Sequence, residues 1–363
     1  MHRLKMAIQK ISTEQLLQLS EQYPVLDVRS PGEYVHAHIP GAYSLPLFSD
    51  EERKKIGTAY KQESREKAIK YGLDFFGVKM RPMVEEVEKI IKNYKPAITS
   101  NPKPQTSNAV IVHCWRGGMR SSAVAWLLNF YGFDIYLLEG GYKAYRNWVL
   151  QQFDKPYDFN IVGGYTGSGK TELLKALHES GHAIIDLEGL ANHKGSAFGA
   201  LGQPPQPKQE MFENLLATAL DQNREKIFWL EDESQRIGAL NIPHGFWNTM
   251  RTKPVCFMDI PFEQRLDFIC SGYGSIEKEF LINSIVRIKK RLGPMETKTA
   301  IGFLVEDDVN ECFRILLSYY DKTYLKALQS RENLASLLNK IACSGVDAIS
   351  NTEKLISCVT VNS

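Results

Sequence analysis

The chain has no CxxC pair: its six cysteines, Cys114, Cys256, Cys270, Cys312, Cys343 and Cys358, are scattered over 363 residues. That spacing argues against a disulfide framework and against a zinc ribbon, and it leaves any thiol chemistry to one cysteine acting alone. No apolar run reaches the roughly 20 residues needed to cross a bilayer, and the opening MHRLKMAIQK lacks the apolar core of a secretory signal, so a cytoplasmic protein without a membrane partner is expected. Charge is nearly balanced: 44 Lys and Arg against 42 Asp and Glu leave a formal +2, and 43% of residues are hydrophobic. This composition excludes disordered, collagen-like and coiled-coil chains, and the length favours two to three domains at about 150 residues each. There is no internal repeat.

The charge is unevenly spread. Residues 1–154 carry 21 basic against 16 acidic side chains, and residues 155–363 carry 23 against 26. Much of the basic excess lies in RKKIGTAYKQESREKAIK, which reads as one helix bearing Arg53, Lys54, Lys55, Lys61, Arg65, Lys67 and Lys70. It is either a solvated face or a surface for a polyanion. A second basic run, Arg287 to Arg291, offers the same two readings.

PVLDVRS reads as a buried strand ending in a turn at Ser30-Pro31-Gly32, and a Pro-containing stretch from Pro96 to Asn108 precedes a second strand, AVIVHC. WRGGMRSSAVAWLLNFYG then reads as a glycine turn and an apolar helix stopped at Gly132, followed by the strand IYLLEGG. This rhythm predicts an N-terminal parallel α/β domain over residues 1–152, with a basic helical insertion over about 50–95. Phe153 to Asn160 reads as a linker. A second α/β domain over 153–363 opens with FNIVGGYTGSGKTELLKALHESG, continues through the strands AIIDLEG, KIFWLED and VCFMDI, turns helical from about residue 262, and ends in a mobile tail after Asn351.

Cys114 ends the AVIVHC strand and stands six residues before Arg120, which opens the helix. Backbone amides, a helix N-terminus and the guanidinium groups of Arg116 and Arg120 would all favour a thiolate there, which makes Cys114 a candidate nucleophile. The other five cysteines, in apolar or helical surroundings, are expected to be inert. Cysteine-dependent phosphatases share the HCxxxxxR pattern, and rhodanese domains share the cysteine-headed anion loop. Upstream residues separate them: Val25-Leu26-Asp27-Val28-Arg29, Pro31-Gly32-Glu33-Tyr34 and His38-Ile39-Pro40-Gly41-Ala42 resemble the rhodanese pattern. Asp27 and Arg29 are expected to pair and hold the strand end, and His36 and His38 to be structural.

Gly164-Tyr165-Thr166-Gly167-Ser168-Gly169-Lys170-Thr171 is an unbroken GxxxxGK[ST] match between a predicted strand and a predicted helix. Its glycines let amides approach a phosphate chain, Lys170 adds a point charge, and Thr171 is a candidate Mg²⁺ ligand. Glu231, Asp232 and Glu233 end a later strand, and Asp186 ends another; carboxylates so placed can orient a water or a metal ion.

A rhodanese-like domain joined to a P-loop domain resembles bacterial tRNA 2-selenouridine synthases. The segments Ile56-Gly57-Thr58, Tyr60-Lys61, Gly163 to Leu174, Asp186 to His193, Gly195 to Gly199, Glu231 to Ser234 and Ile237-Gly238 look like that family's blocks, from about Ile11 to Phe262. The resemblance implies a transferase acting on wobble 2-thiouridine in the anticodon arm of tRNA. In that family the 2-thio sulfur is alkylated by geranyl diphosphate, and selenium from selenophosphate then replaces the S-geranyl group. It implies a selenophosphate-supplying enzyme as partner, no tightly bound cofactor, and Mg²⁺ as a candidate companion of the diphosphate. Two other readings stand beside it: a sulfurtransferase fused to an ATP-dependent small-molecule kinase, and a module that only senses nucleotide.

Overall fold

The computed structural model describes residues 8–95, 108–274 and 276–360. Most of the Pro96 to Asn108 stretch therefore lies outside the described residues. The chain divides into two compact units, residues 1–151 and 152–363.

The first unit is built on a parallel sheet of five strands, β1 (Gln9–Ile11), β2 (Val25–Asp27), β3 (Tyr43–Ser44), β4 (Ala109–His113) and β5 (Asp134–Leu138), in the order β1-β5-β4-β2-β3. β4, AVIVH, is central and buried at every position, as a strand covered on both faces must be. Its Val110 and Val112 pack in one core with Leu26, Val124, Leu128 and Ile135. The helix Met80–Asn93 adds Met83, Val84, Val87 and Ile90, a stripe at helical spacing.

Two local expectations for this unit are corrected. Ser30-Pro31-Gly32 is not a plain turn but the start of a helix, Pro31–His36: proline suits the first helical position, and Glu33 Oε2 accepts the Ser30 N–H at 3.1 Å. The basic stretch is two helices, Asp50–Gln62 and Arg65–Gly77, because the Ser64 hydroxyl accepts the Lys67 N–H at 3.2 Å and caps a new start.

The second unit holds another parallel sheet. Its strands are β6 (Phe159–Gly164), β7 (Ala183–Ile185), β8 (Phe228–Glu231), β11 (Val255–Asp259) and β12 (Leu338–Ala342), in the order β12-β11-β6-β8-β7; β9 (Arg236–Ile237) and β10 (Leu240–Asn241) form a separate antiparallel pair. The strand leading into the P-loop is thus central, with β8 beside it, which brings the Glu231 end next to the loop. Strand β6 already includes Phe159 and Asn160, so the segment expected as a linker to Asn160 ends sooner.

The helices Phe262–Tyr273, Lys278–Leu292, Pro294–Val305 and Val309–Gln329 follow, with a core of Leu266, Leu281, Ile285, Ala300, Leu304 and Phe313. The helical region nevertheless returns to the sheet. Leu338–Ala342 pairs with β11, and its one buried position, Ile341, leaves little alternation to read from sequence. Of the tail expected to be mobile after Asn351, residues 352–360 belong to a helix, Ala348–Thr360, anchored by fully buried Leu355, and the rest lies outside the described residues.

Candidate active site

In the first unit the chain leaves β4 at His113 and turns through Cys114 into the helix Met119–Tyr131, whose first-turn amides have no partner within the helix. The turn depends on close backbone approach. Gly141 has φ +59°, and a Cβ there would lie 2.3 Å from the Cys114 carbonyl and 2.5 Å from the Gly117 nitrogen. That space lets the Tyr142 N–H donate to the Cys114 carbonyl at 2.8 Å and the Lys143 N–H to that of Trp115 at 3.0 Å. Sequence reading passed over Gly141, although a glycine pair just after a strand is the available signal.

Cys114 is 3% exposed, and its Sγ lies 3.2 Å from the Ser121 hydroxyl. The two expected guanidinium groups are not both turned to the sulfur. Arg120 is drawn to Glu33, Nη1 to Oε2 at 2.7 Å and Nη2 to Oε1 at 3.4 Å, and Arg116 is exposed. Arg53 Nε also reaches Glu33, at 3.0 Å. Burial raises the Glu33 carboxyl, but the hydrogen bond and charge of Arg120, with Arg53 behind them, hold it below the ordinary carboxylate range. Glu33 is therefore the residue that fixes Arg120 at the mouth of the loop.

Beneath the loop, Asp27 and Arg29 pair as expected. Arg29 Nη2 reaches Asp27 Oδ2 at 2.6 Å and the Ala37 carbonyl at 2.7 Å, and its guanidinium lies 3.8 Å from the Tyr142 ring centre. Burial pushes up the Asp27 carboxyl, yet His113 and Arg29 bring it below 3.8 overall. Because burial also pushes His113 down, that ring is neutral near pH 7 and Arg29 is the effective partner. His38 stacks on Tyr34 at 4.0 Å and bonds its carbonyl through Nδ1 at 2.9 Å, a local structural role. Burial raises four of the other thiols, Cys256 and Cys312 to about 12, which accords with inertness.

Of the basic stretch, Arg53 is spent on Glu33, and Lys67 pairs with Glu63 at 3.0 Å. Lys54, Lys61 and Arg65 are exposed and make no ion pair among the described residues, while Lys55 Nζ stands 4.7 Å from the Tyr71 ring centre. Lys54, Lys55, Thr58 and Tyr71 line a shallow pocket on that face. Arg287, Lys289, Lys290 and Arg291 are likewise exposed, in the last turn of their helix or just before it.

In the second unit, Gly164 to Thr171 wraps from β6 into the helix Lys170–Glu179. Gly169 caps that helix at φ +70°, and a Cβ there would meet Val346 Cγ1 at 2.6 Å; Gly167 is also left-handed, at φ +80°. Lys170 Nζ spans the loop to the Gly164 carbonyl at 3.4 Å, and the Ser168 hydroxyl, 1% exposed, has no partner. Arg265 braces the loop from behind: it donates to the Thr166 carbonyl at 3.0 Å, pairs with Asp321 at 2.7 Å and lies over Tyr165.

The four predicted carboxylates part company. Asp186 caps the helix Leu187–Ala191, accepting the Gly189 N–H at 2.7 Å. Asp232 is bound by Arg331 and by the Tyr324 hydroxyl at 2.8 Å. Glu231 and Glu233 remain at the loop, and they meet a residue not singled out from sequence, Glu188. Its Oε2 accepts the Thr171 hydroxyl at 3.1 Å, and its N–H donates to Glu231 Oε1 at 2.8 Å. Burial first, and neighbouring carboxylates after it, raise all three, Glu233 to about 8, against the lowering charge of Lys170 on Glu188 and Glu233. Among the described residues no group of three His, Cys, Asp or Glu side chains is placed to hold a metal ion.

Two family models match. The tRNA 2-selenouridine synthase AAA domain covers residues 157–342, and the rhodanese-like domain covers residues 12–147. The tRNA 2-selenouridine synthase of Shewanella denitrificans is 36% identical over 79% of this chain and 73% of its own, and that of Bdellovibrio bacteriovorus is 32% identical over 90% and 94%. A solved structure, the N-terminal domain of an ATP/GTP binding protein from Clostridium difficile 630, is 35% identical over 40% of this chain and 99% of that one, with a TM-score of 0.34. With both domain models in register with the cysteine loop and the P-loop, the chain belongs to the tRNA 2-selenouridine synthase family.

Proposed function

We propose that this tRNA-modifying transferase converts wobble 2-thiouridine to 2-selenouridine in two steps, one at each loop. The P-loop takes geranyl diphosphate: the amides of Gly164 to Thr171 and the Lys170 ammonium hold the diphosphate as it leaves, while the 2-thio sulfur bonds to the geranyl carbon. The Cys114 loop takes the selenium donor, whose phosphate group suits the amides at the helix start. Alkylation first is chemically sensible, because an S-geranyl group is displaced more readily than a thiocarbonyl sulfur. The phosphates of the anticodon arm suit the exposed Lys54, Lys55, Lys61 and Arg65 face, and a selenophosphate-supplying enzyme is the implied partner. Such a reaction belongs in the cytoplasm, and no described helix is long and apolar enough to cross a membrane.

The observation that carries this reading is the pairing, in one chain, of a buried cysteine at a helix-start anion loop with an intact P-loop. Cys114→Ala tests it. In cells with selenium, nucleoside mass analysis should show loss of 2-selenouridine and accumulation of the S-geranyl nucleoside. Normal 2-selenouridine in that variant would remove Cys114 from the chemistry.

A further inference from the structure

Alkylating 2-thiouridine at sulfur has a proton balance that the P-loop does not meet. As the S–C bond forms, C2=S becomes C2–S, the double bond moves to C2=N3, and the proton on N3 must leave. The amides and Lys170 stabilise the departing diphosphate, but they accept no proton.

Three glutamates stand beside the P-loop, and their hydrogen bonds assign them different duties. Glu188 is engaged by the Thr171 hydroxyl. Glu231 is 2% exposed and accepts the Glu188 N–H through Oε1, with Oε2 buried and unpartnered. Glu233 is half-buried, and among the described residues no side chain is hydrogen-bonded to its carboxylate. A methyl group at Gly195, φ +63°, would lie 2.7 Å from Glu233 Oε2 and 2.8 Å from Glu188 Oε1, so both carboxylates face one small space kept open by that glycine. The buried, unpartnered Ser168 hydroxyl marks the neighbouring loop as built for a ligand.

We propose that Glu233 is the general base of the alkylation step, accepting the N3 proton of 2-thiouridine as the sulfur attacks the geranyl carbon. The inference rests on the P-loop being the alkylation site. The sulfur–carbon bond forms, the carbon–oxygen bond to diphosphate breaks with its electron pair on the leaving oxygen, the N3–H pair becomes the C2=N3 bond, and the proton goes to Glu233. The titratable groups facing Glu233 are Glu188 and Asp232, which raise its proton affinity, Lys170, which lowers it, and the buried Glu231, whose own carboxyl Glu233 pushes up; Lys194 and Asp186 act on Glu188 beside it. Burial, the largest influence, brings it to about 8, close to the range in which a base both ionises and accepts protons well.

The test is single-turnover geranyl transfer by the full chain to 2-thiouridine tRNA, followed over pH. The native rate should climb with pH and level off above about 8. Glu233→Gln should lower it by roughly 10² to 10⁴-fold and abolish the climb, with geranyl diphosphate and tRNA binding unchanged. In Glu233→Ala, added formate should restore part of the rate by standing in for the carboxylate. Native rates and an unchanged pH profile in Glu233→Gln would overturn the assignment and make the leaving diphosphate the proton acceptor. Loss of geranyl diphosphate binding would make Glu233 a binding residue instead, again overturning it. If the native chain transferred no geranyl group at any pH, the two-step reading itself would fail first.

Discussion

Arg331→Met should destabilise the second unit by several kcal/mol, because it strands a buried charge. Arg331 is 5% exposed; it bonds Asp232 Oδ1 and the carbonyls of Met250, at 3.0 Å, and Arg251, at 3.4 Å. Asp232 Oδ2 accepts the Tyr324 hydroxyl, which accepts the Gly164 N–H at 3.3 Å, so the network runs from the helix Val309–Gln329 to the first glycine of the P-loop. Methionine keeps the apolar stem and removes the cation. The Asp232 carboxylate, 8% exposed, is then left with one strong donor. Breaking a buried pair by removing one partner costs about 3–5 kcal/mol, and at 2–4 °C per kcal/mol for a unit of this size the melting temperature should fall by roughly 6–20 °C. Calorimetry of the full chain would read this as a shift confined to one of two transitions. Adding Asp232→Asn should recover much of the loss, since the orphaned charge goes with it. A cost under about 1 kcal/mol, or a double variant as unstable as the sum of the singles, would refute the account.

Lys170→Ala should slow geranyl transfer by roughly two orders of magnitude or more, while tRNA supplied already S-geranylated should still be selenated; equal loss of both steps would end the division of labour between the loops. Replacing Lys54, Lys55 and Lys61 with Glu should weaken tRNA binding and flatten its log–log salt dependence by roughly 2 to 3, leaving geranyl diphosphate binding unchanged; an unaltered salt titration would move the RNA surface to Arg287 to Arg291. Burial holds His113 neutral, so between pH 6.5 and its lowered folded value the unfolded chain binds more protons and stability should fall with acidification by up to about 1.4 kcal/mol per pH unit. Denaturant titrations at pH 7 and 5.5 on the native chain and His113→Phe should show that loss in the native chain and a smaller one in the variant. Asp27, held below 3.8, adds a second loss as pH falls below that value.

Local sequence was enough wherever one short segment carries both the chemistry and its backbone. GYTGSGKT between a strand and a helix, and HC before a glycine turn and a helix, place amides by chain geometry alone, and both loops stand where their flanking strands put them. The Asp27–Arg29 pair was legible for the same reason, being two residues apart on one strand end. Contacts between distant segments were not. Asp186 and Asp232 looked equal to Glu231 and Glu233, yet a capped helix takes the first and Arg331, 99 residues away, takes the second. Glu188 joined the site only because β7 lies beside β8, and Arg120 met Glu33 across 87 residues. Strand β12 escaped notice because an edge strand buries few positions, so its pattern is weak until β11 supplies a partner. Composition and spacing determined which groups this chain possesses and how its two loops are shaped. Which carboxylate or guanidinium is left available for chemistry was decided by tertiary packing, because a charge is neutralised by whatever folding brings within hydrogen-bond reach, and sequence separation does not encode that distance.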